Sequence, residues 1–113
     1  MIDASVHAAI LHALALDEAD WAVELGAGLG TLTRCLSLAL PRGRVLAVER
    51  EPKALAVLTE ETASLANVKV LAQSALDVDY PAWRQRAGDR ALVVVGNLPY
   101  QIASQILLHV LGT

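Results

Sequence analysis

Short apolar runs alternate along the chain with stretches in which apolar residues recur every three or four positions. Four runs, Trp21–Leu25, Val45–Val48, Val68–Ala72 and Ala91–Val95, are rich in Val and Leu and nearly continuous. That character suits strands buried on both faces. Between them, Leu29, Leu32, Leu36 and Leu40 predict one helix, and Leu55, Leu58 and Leu65, with Thr62 in register, predict another from Pro52 to Leu65. Pro52 fits the first turn, where a missing N–H costs nothing. After the fourth run Ile102, Ile106 and Val110 recur every four residues and predict a helix to Leu111. Before the first run Val6, Ile10 and Leu14 do the same, with Asp3 as N-cap. Ser74–Arg90 is the least regular part: Asp77, Asp79, Tyr80 and Pro81 read as loop, Trp83–Arg86 as one helical turn and Gly88-Asp89 as a turn. Strands alternating with helices predict an α/β fold, a parallel sheet with helices on both faces.

Composition narrows the class. A chain of 113 residues makes one small domain, and an apolar share of 55% is too high for a disordered tail. Nine basic against twelve acidic residues give a net charge of −3, which argues against a nucleic-acid clamp working by charge alone. No uncharged apolar stretch is long enough to span a bilayer, and Asp3 sits where the basic region of a signal peptide would be. The single Cys35 permits neither an intrachain disulfide nor a multi-cysteine metal site. A cytoplasmic protein with no membrane partner and no metal is the expectation.

The first strand runs into Glu24-Leu25-Gly26-Ala27-Gly28-Leu29-Gly30, and a helix follows. Ligands of parallel sheets bind at the carboxyl ends of strands, where strand order reverses. A dinucleotide loop has the spacing G-x-G-x-x-G and aims helix N–H groups at a pyrophosphate. Here the spacing is G-x-G-x-G, with an acid two residues before the first glycine. S-adenosylmethionine carries an ammonium, a carboxylate and a cationic sulfonium and no phosphate, and Glu24 suits it better. No Gly-Lys-Ser/Thr follows, which excludes a P-loop. Glu49 ends the second strand, where an acid can accept both ribose hydroxyls. Nicotinamide and adenosylmethionine sites both use such an acid, so Glu49 alone leaves the choice open. The plainer alternatives are turn glycines, a solvated Glu49 and a Glu24 that bonds backbone without touching ligand.

The fourth run leads into Gly96-Asn97-Leu98-Pro99-Tyr100, at the same end of the sheet. An exocyclic adenine amine is a poor nucleophile because its lone pair is delocalised into the ring. Acceptors for both amine hydrogens, the Asn97 side-chain oxygen and the Leu98 carbonyl, would draw the nitrogen towards tetrahedral geometry. Pro99 fixes φ and has no competing N–H. Tyr100 offers a face on which a flipped base can stack. Positioning and electrostatics suffice for such a methyl transfer. A strand–turn–helix junction with Asn97 as N-cap is the plain alternative.

Val23-Glu24-Leu25-Gly26-Ala27-Gly28-Leu29-Gly30-Thr31-Leu32-Thr33, then Val48-Glu49, then Val95-Gly96-Asn97-Leu98-Pro99-Tyr100 together resemble the ribosomal RNA adenine N6-dimethyltransferases, a family that includes the small-subunit dimethylases and the erythromycin-resistance methylases. The resemblance covers nearly the whole chain and points to the small-subunit branch. It implies a Rossmann-like methyltransferase fold, S-adenosylmethionine as donor and adenine N6 of ribosomal RNA as acceptor. It implies a cofactor set of Glu24, Gly26, Ala27, Gly28, Glu49, Arg50, Ser74, Ala75 and Asn97, with Gly26 against the methionine part and Glu49 on the ribose. Asn97, Leu98, Pro99 and Tyr100 would form the catalytic segment, Asn97 and Tyr100 holding the target base.

Three departures qualify this. Ser74 stands where the family usually has an Asp that bonds the cofactor adenine, and a hydroxyl bonds more weakly than a carboxylate. The family's Gln-Asn-Phe-Leu-like opening segment has no counterpart before Met1-Ile2-Asp3. The family's domain continues with three further strands and a small helical domain, whereas this chain stops at Thr113. Residues 1–113 are thus expected to form the amino-terminal half of a methyltransferase domain. A non-catalytic, cofactor-binding half-domain that acts with a partner chain is the alternative function. Lacking neighbours, Ala91–Val95 would be an apolar sheet edge, through which the chain would pair with itself or with a second polypeptide.

The remaining candidates read more plainly. His7, His12 and His109 do not cluster. Trp21 and Trp83 read as packing anchors, Cys35 as a small buried residue, and Arg84, Arg86 and Arg90 as a solvated basic face.

Overall fold

The computed structural model describes residue 12 and residues 16–99 and 104–111, with the backbone alone for 97–99 and 104–111. In chain order the elements are β1 (Trp21–Leu25), α1 (Thr31–Ala39), β2 (Arg44–Glu49), α2 (Pro52–Thr62), β3 (Val68–Ala72), a 3₁₀ turn (Ala75–Asp77), α3 (Tyr80–Ala87), β4 (Leu92–Pro99) and β5 (Ser104–Leu111). The strands form one sheet in the order β3-β2-β1-β4-β5. The pairs β1–β2, β2–β3 and β1–β4 are parallel. The predicted α/β architecture is therefore present, and its four apolar runs are the four parallel strands.

The two faces of the sheet are covered by different helices. Ala22, Val45, Val93 and Val95 pack against Leu36 of α1 and Leu40 just after it, and Ala47 packs against Leu58 of α2. On the opposite face Val23, Leu46, Val48, Leu92 and Val94 pack against Val78 and against Trp83 and Ala87 of α3. Chain order explains the change of face. The path steps outward from β1 to β3, then returns past β1 to β4, and crossovers of one handedness then place α3 opposite α1 and α2. The reversal lies between β1 and β4.

Local chemistry sets the helix starts. Pro52 occupies the first turn of α2, as expected, and the Glu51 side chain caps it by accepting from Ala54 N at 2.7 Å. The Asp79 side chain caps α3 in the same way, accepting from Ala82 N at 3.1 Å, with Pro81 in the first turn. Tyr80 and Pro81, expected in a loop, thus belong to a helix of eight residues rather than one turn. Only Trp83 and Ala87 of this helix are buried, so its apolar pattern is too sparse to reveal its length.

Beyond Gly96 the structure departs from expectation. The segment 102–111, expected as a helix, instead supplies β5, which pairs antiparallel with β4 from Leu92↔Leu111 to Pro99↔Ser104. A four-residue spacing is two strand periods, so Ile106 and Val110 share a face in either geometry. The free N–H and C=O groups along β4 then favour the strand. The expected bare edge at Ala91–Val95 is consequently covered: Leu92–Val95 pairs with β1 on one side and β5 on the other, and Ala91 bonds to Trp21 and Asp20. Pairing of chains through that edge loses its basis. The outer edge β3 is short and carries the exposed Lys69, a feature that discourages edge pairing. The expected helix of Val6, Ile10 and Leu14, its cap Asp3, and Tyr100 lie outside the described residues.

Candidate functional site

The glycine loop leaves β1 and enters α1 through Gly26, Gly28 and Gly30, all with positive φ. At Gly30 (φ 93°) a second constraint applies, because a Cβ there would stand 3.1 Å from Leu58 Cδ1 of α2. At Gly28 (φ 61°) the nearest atom to such a Cβ is the Gly26 carbonyl oxygen at 4.0 Å, an ordinary contact, so conformation alone selects glycine.

The loop's hydrogen bonds are turned inward. The N–H groups of Gly26 and Ala27 both donate to the Val48 carbonyl, at 2.9 and 3.0 Å, and Gly30 N–H donates to the Ala27 carbonyl at 3.2 Å. Gly28 N–H donates to Glu49 Oε1 at 2.8 Å. Glu49 Oε2 accepts in turn from Arg50 N at 3.1 Å and Glu51 N at 2.9 Å. Three backbone donors thus hold a carboxylate with roughly four acceptor positions, and one position on Oε1 remains.

Beside this carboxylate lies an open cavity of about 400 Å³, lined by Gly26, Val48, Glu49, Arg50, Gln73, Ser74, Ala75 and Leu76. It spans the carboxyl ends of β1, β2 and β3, and its size suits a small-molecule ligand. The Ser74 hydroxyl accepts from Leu76 N at 3.2 Å and so caps the short turn along the rim. Leu76 itself is 93% exposed, a large apolar side chain unsupported by the core.

Of the residues singled out from sequence, Gly26, Glu49, Arg50, Ser74 and Ala75 meet on this cavity wall. Ala27 points into the core beside Ala47 and Leu58. Gly28 reaches the site through its bond to Glu49. Glu24 lies behind the loop, fully buried, with Oε1 accepting from the Thr33 hydroxyl of α1. Its Oε2 has no hydrogen-bond partner among the described residues. Burial pushes the Glu24 carboxyl up to about 7, Thr33 pulls it down, and the nearby charge of Glu49 adds to the rise. Asn97 comes one residue after Gly96, the register partner of Leu25, so the backbone places it at the same sheet end as the glycine loop.

The family model for ribosomal RNA adenine dimethylase matches residues 1–113. The chain belongs to this family. Relatives include a probable ribosomal RNA small subunit methyltransferase A of Methanosarcina mazei, 36% identical over 111 residues that cover 98% of this chain and 37% of that protein. The ribosomal RNA small subunit methyltransferase A of Myxococcus xanthus is 44% identical over 103 residues, 91% of this chain and 34% of that protein. The chain thus spans little more than a third of the length of these relatives. Among solved structures, the 23S rRNA methyltransferase ErmE is similar with a TM-score of 0.56 at 21% identity, over 87% of this chain and 48% of that one. A methyltransferase from Aquifex aeolicus described as SAM-dependent gives 0.60 at 15% identity, over 84% and 66%. The fold is the Rossmann-like one of such methyltransferases.

Within this family fold, sequence reasoning passed over Val48, Gln73 and Leu76 as wall residues. Their position at the ends of β2 and β3 was the available signal. Thr33 was passed over as well, because its pairing with Glu24 arises only when α1 folds back on β1. The secondary candidates are structural. Arg84 donates to the Gly88 and Arg90 carbonyls at 2.5 and 2.7 Å, and Arg86 lies over the Trp83 ring at 4.7 Å. Burial raises the pKa of the Cys35 thiol, which makes it a poor nucleophile. His12 is exposed, and His7 and the side chain of His109 lie outside the described residues.

Proposed function

We propose that residues 1–113 form the donor-binding half of an adenine N6-methyltransferase domain for small-subunit ribosomal RNA, a cytoplasmic activity, with S-adenosylmethionine as methyl donor. The observation that carries this reading is the inward turn of the loop's hydrogen bonds. A dinucleotide site needs free N–H groups for a pyrophosphate. Here those of Gly26, Ala27, Gly28 and Gly30 are already engaged. The loop's own N–H groups are thus spent on the protein, which suits a phosphate-free donor, and the G-x-G-x-G spacing departs from that of a dinucleotide loop.

In this reading Glu49 accepts a ribose hydroxyl at its remaining position, held in place by three backbone donors. Gly26 lies against the methionine part. Ser74 and Ala75 border the adenine, with Gln73 and Leu76 beside them, and Arg50 closes the wall near Glu49. The donor supplies an electrophilic methyl on a cationic sulfur. Asn97 and the Leu98 carbonyl take the two hydrogens of the target amine, Pro99 leaves that carbonyl without a competing donor, and Tyr100 stacks the base. The strand register supports this division of labour, since β4 delivers Asn97 beside the loop end of β1.

Calorimetric titration with S-adenosylhomocysteine and with NAD tests the reading. The first should bind and the second should not; binding of NAD alone would defeat it. Glu49→Ala should weaken S-adenosylhomocysteine at least tenfold, the usual scale for losing a charge-assisted hydrogen bond.

A further inference from the structure

Glu24 and Glu49 bracket the glycine loop from its two sides. Glu49 holds the loop by the Gly28 N–H and faces the cavity. Glu24 is fully buried, is absent from the cavity wall, and bonds Thr33, which is itself fully buried three residues after Gly30. A buried carboxylate with one oxygen unpartnered among the described residues is a costly feature in a small core. Neither backbone neighbour relieves it, because the register partners of Glu24 are Ala47 and Val95.

We propose that Thr33 is a positioning residue for donor binding: its hydroxyl fixes the Glu24 carboxylate behind the glycine loop, where the acid favours a cationic sulfonium donor over the uncharged thioether product by charge acting through the loop, without contact. The proposal rests on the reading that the cavity takes S-adenosylmethionine. When the target amine nitrogen bonds the methyl, the C–S bond breaks with its electron pair on sulfur and the methylated amine releases one proton to solvent. The sulfur becomes neutral, and its attraction to Glu24 ends. Donor binding is thereby favoured over product retention.

The charge state of Glu24 makes this measurable. The group loses its proton near pH 7, so ionised and neutral forms are both sampled around neutrality. Among the described residues, the titratable groups that interact with it are Glu49 on β2 and Cys35 on α1, and Arg50, next to Glu49, lines the same cavity. Cys35 stays a neutral thiol through this range, and no base opposes the two acids from β1 or from Leu92–Gly96 of β4. A coupling of about one pKa unit between Glu24 and the sulfonium corresponds to roughly a tenfold change in affinity.

Calorimetry of the chain with S-adenosylmethionine and S-adenosylhomocysteine between pH 6 and 8 provides the test. The preference for the sulfonium ligand should rise about fivefold across that range in the unaltered chain. Glu24→Gln should leave only the part due to the ligands' own ammonium groups. Thr33→Val removes the bond that favours the ionised acid, so the midpoint should move to higher pH, and Thr33→Ser should return it. Titration of each ligand's own ammonium is common to all variants and cancels between them. A pH dependence no larger in the unaltered chain than in Glu24→Gln, or an unmoved midpoint in Thr33→Val, would overturn the proposal. Should Thr33→Val fail to fold, Thr33→Ala removes the same hydroxyl and decides it by the same midpoint. Binding of neither ligand at any pH would instead overturn the functional reading on which the proposal rests, and the proposal with it.

Discussion

Two buried acids mark the two ends of β1, and they are treated in opposite ways. Asp20, just before the strand, has both oxygens bonded to backbone: Oδ1 accepts from Ala91 N and Oδ2 from Asp17 N, each at 2.9 Å. It ties the entry of β1 to the entry of β4. Glu24, near the exit, has one bonded oxygen and one without a partner among the described residues, and burial raises its pKa to about 7. Satisfied polar groups make the amino ends of the strands rigid. The carboxyl ends keep an unpaid electrostatic cost next to a cavity. That asymmetry is expected when one end of a sheet serves stability and the other serves a ligand.

The comparison breaks most visibly at Gly43. A Cβ there would stand 1.9 Å from the Asp20 carbonyl oxygen, with backbone on both sides of the contact. Gly43→Ala should therefore cost about 3 kcal/mol or more, read by urea denaturation. At the other end the sign reverses. Glu24 ionises near 4.5 in the unfolded chain and near 7 in the folded one, so the native state binds the extra proton between those values. Stability should fall as pH rises from 4.5 to 7 and level off above, a loss of about 3 kcal/mol. Glu24→Gln should abolish that slope and be the more stable form at pH 8, as denaturation at pH 5 and pH 8 would show. An unchanged slope would contradict the account of Glu24.

Smaller effects sharpen the contrast. Asp20→Ala strands the N–H groups of Ala91 and Asp17 and should cost about 2 kcal/mol. Gly28→Ala meets no close neighbour, so its penalty should be only the left-handed backbone, about 1 kcal/mol in thermal unfolding. It should still weaken cofactor binding, because the Gly28 N–H positions Glu49.

Much of this was legible in the residues because the parallel strands are buried on both faces, and a doubly buried strand writes itself as an unbroken apolar run. The wall residues Gly26, Glu49, Ser74 and Ala75 were legible for a related reason, since ligands gather where such runs end. Legibility failed where periodicity carries two meanings. Ile106 and Val110 satisfy a helix and a strand equally, and the unpaired side of β4 decided between them. It failed again at α3, where Asp79 and Pro81 begin a helix with the same residue types that begin turns. The place of Glu24 behind the loop depends on Thr33, nine residues away on another element, a pairing that tertiary packing alone creates.

Trp21 and Trp83, the chain's two tryptophans, meet at a tilt of 55° with ring centroids 6.4 Å apart, each with an arginine over it, Arg44 at 5.6 Å and Arg86 at 4.7 Å. Trp21 starts β1, so this ladder stands at the end of the sheet away from the cavity. Intrinsic fluorescence will accordingly report how firmly α3 is docked and stay nearly blind to events around Glu49, and a spectroscopist following ligand uptake must bring an optical label of their own.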